Sequence, residues 1–417
     1  MRIGSTTSKP PGCSVADVQD ALRELFQEPI AAVIERENSA FVSRLEQSKG
    51  QCVLFGAGSL GRQALALLRE NHIEPMTITD NNPECWGRSL AGIPILSPTD
   101  AARLYGKDST FFITIRNENH WFSQTVEQLE RLGCRHISSA DPLAWRFPGT
   151  LQPALLYDLP HKLYQYADQV LSAAELWEDD ISRAVYLNNV LLRAHGDRSW
   201  FTRPAPEESY FLPGVFETSP ADIFLDCGAF DGDTIRGLLA RQPEWARIEA
   251  IEADALSFAR LTDFVETLEP AVQERIHLHQ CAVGAENGRI RFENTGKAAS
   301  TIADEGGIEV NLATIDALFS STNLSIVKMD IEGAERDALL GGKNVFQRDN
   351  PILSVCAYHK QEDIWDLPLL MREICPDSKL YLRTHGGDAI QTVAYAVPPQ
   401  RVIRSEAHIR SHKLNLH

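Results

Sequence analysis

The sequence predicts an α/β protein made of two doubly wound, mostly parallel sheets in tandem, and three observations carry that prediction. Short apolar strands alternate with amphipathic helices in two separate stretches of the 417-residue chain, the pattern of parallel sheets covered by helices on both faces. Between them lies a helical run that ends in the Pro-rich "FTRPAPEESYFLPG", a boundary signal. In each stretch the first strand runs into a glycine turn and the second ends on an acid, Asp80 or Glu252.

The elements follow in order. Residues 1–49 are a helical segment behind a Ser/Thr/Pro-rich start. Val18, Leu22, Leu25 and Phe26, then Ile30, Val33, Ile34 and Phe41, recur at helical spacing, and Ser14 with Asp17 offers a capping-box start. The first α/β unit, 50–148, opens with "QCVLFGAGSLGRQALALLRENHIEPMTITDNN": a strand, Gly56-x-Gly58-x-x-Gly61, a helix through Leu68, and a strand ending at Asp80. "STFFITI" (109–115) and "RHISSA" (135–140) are further strands around a helix at 121–132, with Pro94, Pro98 and Pro142 in loops. Residues 155–200 read as amphipathic helices, which makes 149–205 a connector. The last unit, 206–417, starts its alternation at Val215. Strand "DIFLDCG" leads to a helix at 234–242, and "RIEAIEAD" leads to a helix at 255–269. "RIHLHQCAVG", a β-like insert "GRIRFEN", "LSIVKMD" with a helix at 333–341, and "PILSVCAYH" with a helix at 364–373 follow. "KLYLRTHG" and "QTVAYAVP" close the chain as an antiparallel pair, giving a seven-strand sheet with one reversed edge strand.

Composition removes several classes of function. A hydrophobic share of 43% is enough for substantial cores, while a net charge of −17 gives no electrostatic support for wrapping a nucleic acid duplex. The eight cysteines are scattered without a C-x-x-C pair, and several sit in apolar runs, as buried free thiols do in a reducing compartment. No signal-peptide core opens the chain, and no window reaches the roughly 18 apolar residues of a membrane span. These features predict a soluble cytoplasmic protein.

The two glycine turns differ in chemistry. Gly56, Gly58 and Gly61, with Asp80 one strand later, match a dinucleotide fingerprint in its proper strand–turn–helix setting. They predict a nucleotide site, and an NAD-linked oxidoreductase is one alternative reading of the chain. The only further polar candidates there are Arg116 and His120. In Asp226-x-Gly228-x-x-x-Gly232 an acid ends the first strand, which repels pyrophosphate and favours a cation. S-adenosylmethionine carries a sulfonium and an ammonium. Glu252 is placed to grip its ribose, and the turn Cys281, Ala282, Val283 and Gly284 to flank its adenine. Asp231 and Asp233 also suit a helix N-terminus through the dipole alone.

"FLDCGAFDGDT", "IEAIEAD", "CAVG", "LATIDAL", "IVKMDIEGAERDALLGG" and "YHKQEDIWDLPLL" together resemble the FkbM family of S-adenosylmethionine-dependent methyltransferases, over roughly 215–400. The resemblance implies a class I methyltransferase sheet and methyl transfer to a hydroxyl of a sugar, glycan or related metabolite. Phe230 stands where the broader class often has a glycine. The segment "VLFGAGSLGRQAL" is similar to the small N-terminal unit of PglD-type acetyltransferases.

A direct displacement at the donor methyl needs alignment and a base for the acceptor proton. The expected site is Asp226, Gly228, Phe230, Asp231, Gly232, Glu252, Ala282 and Asp330 around the donor. His359 is the favoured base and Asp330 its rival. Arg383, His385 and the turn Ser300–Thr301 are candidate acceptor contacts. Glu332 and Glu335 have the start of a helix as a sufficient cause, and Asp330 with Glu332 and a histidine suits a divalent metal only loosely, so no metal is expected. The alternative from another class is a non-catalytic scaffold that keeps a donor pocket.

Overall fold

The structure, a computed structural model, describes residues 14–117, 119–151, 154–196, 198, 209–292 and 308–403. Helices α1 (Val15–Leu25) and α2 (Ile30–Gln47) precede the first sheet. Ser14 and Asp17 do form a capping box at α1, each side chain accepting the other's backbone N–H. Then come β1 (Cys52–Phe55), α3 (Ser59–Glu70), β2 (Thr77–Thr79), β3 (Ser89–Leu90), β4 (Ile93–Leu96) and α4 (Pro98–Tyr105). β5 (Thr110–Ile113), α5 (Phe122–Arg131), β6 (His136–Ser139) and α6 (Asp141–Arg146) complete that unit, with strand order β3-β4-β2-β1-β5-β6. All its pairings are parallel except β3 with β4.

The β3–β4 hairpin and α4 correct the loop expected around Pro94 and Pro98. Both strands are too short to show a period. Pro98, rather than breaking a helix, occupies the start of α4, where its missing N–H costs nothing and Ser97 caps the N–H of Asp100.

The connector holds α7 (Pro160–Tyr164), α8 (Ala167–Ala174) and α9 (Asp180–His195). The second sheet and its crossings run β7 (Ile223–Cys227), α10 (Asp233–Arg241), β8 (Arg247–Ile251), α11 (Ala255–Glu266), α12 (Pro270–Gln273) and β9 (Ile276–His279). A three-stranded annex of β10 (Ala282–Val283), β11 (Gly288–Phe292) and β12 (Ile308–Ala313) follows, in order β10-β12-β11. α13 (Ile315–Leu318), β13 (Ile326–Met329), α14 (Glu335–Gly341), α15 (Lys343–Asp349), β14 (Ile352–Cys356), α16 (Asp363–Ile374), β15 (Lys379–Thr384) and β16 (Thr392–Val397) finish the chain.

The seven strands lie in order β15-β16-β14-β13-β7-β8-β9. β16 is the reversed strand, yet it is not the edge. It inserts between β14 and β15, antiparallel to both, because the tight turn after β15 folds it back inside. The edge strand β15 is covered by the connector: Leu382 N donates to Ser182 Oγ, and Arg383 pairs with Asp179 at 2.7 Å. Arg383 is therefore an edge fastening and not an acceptor contact, and His385 bonds Tyr395. The N-terminal helices divide between the cores. Val18 and Leu22 of α1 pack into the core of the second sheet and connector, while Phe41 of α2 joins the core of the first sheet. The seven cysteines among the described residues are free, and no described helix is long and apolar enough to cross a membrane.

Candidate active site

Both glycine turns are held by the same device. The Asp80 carboxylate accepts the N–H of Ala57 at 2.8 Å and that of Asn82 at 2.8 Å. Glu252 accepts the N–H of Phe230 at 2.8 Å and that of Asp254 at 2.7 Å. An acid at the end of the second strand thus pins the first turn in each sheet, and this feature alone does not tell one ligand from another.

The space beside the turns does. In the first sheet the crevice between the end of β5 and the start of α5 is occupied by the chain itself. Arg198 pairs with the buried Asp141, and both Arg116 and Arg198 lie over the Tyr157 ring. Asp388, from the turn after β15, accepts the N–H of Phe122 at the start of α5, which is where such a sheet would hold a ligand anion. The cavity left between Leu60, Ile113 and Phe122 is about 10 Å³, while a second of about 710 Å³ opens beside β6, between Arg36, Ser138, Trp145 and Arg198. Neither of these two cavities is lined by Gly56, Gly58, Gly61 or Asp80, so their lining gives no support to the nucleotide and NAD expectations, and His120 is pushed down to about 4 by burial and then by Arg198.

In the second sheet a cavity of about 360 Å³ opens over the carboxyl ends of β7, β8 and β13. This is the switch point of the strand order, where ligands of doubly wound sheets bind. Of the residues expected from the sequence, Gly228, Phe230, Glu252, Ala282 and Asp330 line it. Asp226, Asp231, Gly232 and His359 do not. Asp231 is outside, paired with Arg236 at 2.5 Å, and Gly232 turns the chain at φ +87° where Phe264 leaves no room for a Cβ.

Asp226 lies under the floor. It is fully buried and sits in direct register with Lys328 on the neighbouring strand, 2.8 Å from its ammonium. Lys328 also donates to the Gly228 carbonyl at 2.7 Å. Burial would lower the lysine's pKa, but Asp226 and Asp330 outweigh it and keep it charged. The pair braces the turn from below, so Asp226 is a positioning residue and not a ligand contact. Lys328 was legible: a lysine inside "IVKM", whose four positions are all buried, requires an anion on the next strand.

The acids of "DIEGAE" do not start a helix together. α14 begins only at Glu335, and Glu332 and Gly333 before it have φ +55° and +97°. Glu335 is fully buried, accepts the N–H of Ile331 at 2.9 Å and faces His359 Nδ1 at 2.8 Å. His359 Nε2 lies 3.2 Å from Asp330 and 3.8 Å from Glu332. Burial would push the imidazole's pKa down, but Glu335 and Asp330 outweigh it and raise it well above the ordinary value. His359 is thus an imidazolium locked among carboxylates, which corrects the expectation of a base: a group that holds its proton so firmly takes none from a hydroxyl. Asp330, Glu335 and His359 bring one polar atom each within 4.8 Å of the others, and the cation in their midst is His359 itself. Asp330 also accepts the Tyr210 hydroxyl at 2.7 Å. Burial would raise its pKa, but His359, Lys328 and Tyr210 hold it far below the usual carboxylate range. Tyr210 escaped the sequence reading because it sits in a Pro-rich boundary segment with no periodic signal. Ser300 and Thr301 lie outside the described residues.

Residues 226–382 match the methyltransferase FkbM domain family, which covers the glycine turn, Glu252, Lys328, Asp330 and His359. The second sheet is a methyltransferase FkbM domain. The FkbM domain is similar to the 2-O-methyltransferase NoeI of Sinorhizobium fredii (strain NBRC 101917 / NGR234), 24% identical over 179 residues, which cover 37% of this chain and 70% of that protein. The crystal structure of methyltransferase FkbM from Methylobacillus flagellatus KT superimposes with a TM-score of 0.73 at 19% identity, over 92% of this chain and all of that one. That coverage extends well beyond the FkbM domain, so both chains share the fold of most of the N-terminal part as well. The chain is a methyltransferase with a class I sheet.

Proposed function

We propose that the FkbM domain transfers a methyl group from S-adenosylmethionine to a hydroxyl of a sugar, glycan or related small metabolite. The observation that carries this reading is the cavity at the β7–β13 switch point, lined by five carboxylates (Asp233, Glu252, Asp330, Glu332, Asp337) against two ammonium groups (Lys328, Lys360). Such a lining favours a cationic donor, and Glu252 stands at the ribose position one strand from the glycine turn. Ile251, Ala282 and Val283 supply an apolar wall suited to the adenine. When bound, the donor supplies an electrophilic methyl on a sulfonium. The chain's part is to hold donor and acceptor in line, exclude water and accept the hydroxyl proton. The name of the NoeI relative supports oxygen as the acceptor atom.

Calorimetry with S-adenosylmethionine and with NAD⁺ tests the reading. Heat of binding is expected with the donor and none with NAD⁺. Glu252→Ala should weaken donor binding by roughly 100-fold or more, since one lost charge-assisted contact and a loosened turn cost about 3 kcal/mol. An intact wild-type protein that binds no donor would sink the proposal. A donor-dependent screen of methyl glycosides and oligosaccharides then identifies the acceptor, and binding without turnover on any of them would favour the scaffold alternative.

A further inference from the structure

The proposed transfer needs a group that takes a hydroxyl proton, and neither residue first considered can do so: His359 keeps its own proton and Asp330 is tied up as a carboxylate by Tyr210 and His359. We propose that Glu332 is the catalytic base, a carboxylate lining the cavity between Asp330 and Gly333 that receives the acceptor's proton as the methyl group moves. This rests on the methyl-transfer reading above.

Geometry singles out Glu332 among the five lining acids. Glu252 is spent on two backbone N–H groups of the donor-side turn, and Asp330 on a tyrosine hydroxyl and the imidazolium. Asp233 opens α10 and accepts the N–H of Thr234, while Asp337 lies exposed in the first turn of α14. Glu332 has its side chain about four-fifths buried, and its nearest cation, His359, is 3.8 Å away, too far for a hydrogen bond. Its backbone adopts φ +55°, a left-handed conformation that a glutamate tolerates only when the surroundings impose it, and such residues cluster at active sites. Gly333 follows at φ +97° with the Lys360 side chain packed against it.

Charge around the carboxylate agrees with the role. Burial pushes Glu332 up to about 7, Asp330 and Glu335 push the same way, and His359 and Lys328 oppose them. Lys360, at the cavity rim, is the other charged group nearby. A base poised near neutrality can both lose its proton to solvent and take one from a hydroxyl. In the step itself the acceptor O–H proton passes to a Glu332 oxygen, the hydroxyl oxygen forms the new bond to the methyl carbon, and the carbon–sulfur bond breaks with its electron pair remaining on sulfur. His359 then has a definite function: it is a fixed positive charge that keeps Asp330 ionised, so that the next proton entering the site goes to Glu332.

The test compares wild type with Glu332→Gln. Without ligand, the wild-type-minus-variant infrared spectrum across pH should show a protonated carboxyl band vanishing with a midpoint of about 7, with Asp226 and Asp363 cancelling in the difference. S-adenosylmethionine should bind the variant within about threefold of wild type, whereas turnover of the best acceptor from the glycoside screen should fall by about 10²–10⁴. The wild-type rate should rise with pH through about 7, because the base acts deprotonated, and Glu332→Asp should recover part of the loss. A variant that keeps donor binding and more than about a tenth of wild-type turnover overturns the assignment of the base alone, as does a difference band titrating below about pH 5, the ordinary glutamate range. Absence of donor binding in the wild type overturns the methyl-transfer reading on which the assignment rests.

Discussion

His359→Ala should destabilise the protein by roughly 3–5 kcal/mol, the range found when one member of a buried charge cluster is removed. The imidazole side chain is 2% exposed and faces Glu335, which is 1% exposed. Without it, Glu335 retains only the Ile331 N–H, and Asp330 only the Tyr210 and Tyr358 hydroxyls. Asp330 must then either stay charged with fewer partners or take up a proton, and Glu335 loses its buried ring partner. The pH dependence has a definite sign. His359 has a folded pKa raised above its unfolded value, so its contribution is complete below the unfolded value of about 6.5 and is lost as pH rises through the folded pKa. Asp330 has a depressed folded pKa, so its contribution is present above about 4 and is lost as pH falls through the folded value. Urea midpoints of wild type and His359→Ala should therefore differ most between those limits and converge on the alkaline side. A loss of less than about 1 kcal/mol at pH 6 would show that the ring is neutral and makes no buried ion pair.

This cluster also shows why the sequence was readable in one half of the problem and misleading in the other. Alternation of apolar runs locates β7, β8, β13 and β14, because strands buried on both faces leave little choice of residue, and the glycine turn with Glu252 locates the donor wall. Functional roles depended on features that periodicity does not carry. "DIEGAE" looks like an acidic helix start because acids are favoured there, yet the backbone reverses through Glu332 and Gly333 first and sends the acids in different directions. His359 looks like a base because it ends a strand at the site. Its protonation is set by Glu335, which is 24 residues earlier and reaches it only through the crossing of α14 over the sheet. Asp226 looks like a ligand contact until the parallel register places Lys328 directly beside it. In the first unit the fingerprint itself was read correctly as a turn. What occupies the start of α5 is Asp388, more than 300 residues beyond Gly61, in a turn whose residues Asp388, Ala389 and Gln391 all have positive φ.

Gly228→Ala should abolish donor binding, a loss of at least about 100-fold, or about 2.7 kcal/mol. The residue has φ +83°, where an alanine is strained by roughly 1–2 kcal/mol. Strain is the smaller part. A Cβ would stand 2.0 Å from the Asp330 carbonyl oxygen and 3.0 Å from its carbon, and both belong to backbone that cannot swing aside like a flexible side chain. The Asp330 N–H is held by the Cys227 carbonyl at 3.1 Å, so the end of β13 stays and the glycine turn must retreat. Retreat costs the Lys328 bond to the Gly228 carbonyl, the bonds of Gly228 and Ala229 N–H to Ile251, and the Glu252 hold on Phe230. Each of these positions a wall of the cavity, so the donor should lose its site while the outer strands remain paired. Two further variants separate this from general damage. Gly237→Ala, in α10 where nothing lies within 4 Å of the new Cβ, should leave binding intact and add helix propensity of up to about 1 kcal/mol. Gly61→Ala places a Cβ 1.9 Å from the Gly56 carbonyl and should destabilise the first sheet, yet leave S-adenosylmethionine affinity near wild type. If Gly61→Ala weakened donor binding as much as Gly228→Ala, the donor would depend on the first turn, and the division of roles between the two sheets would be wrong.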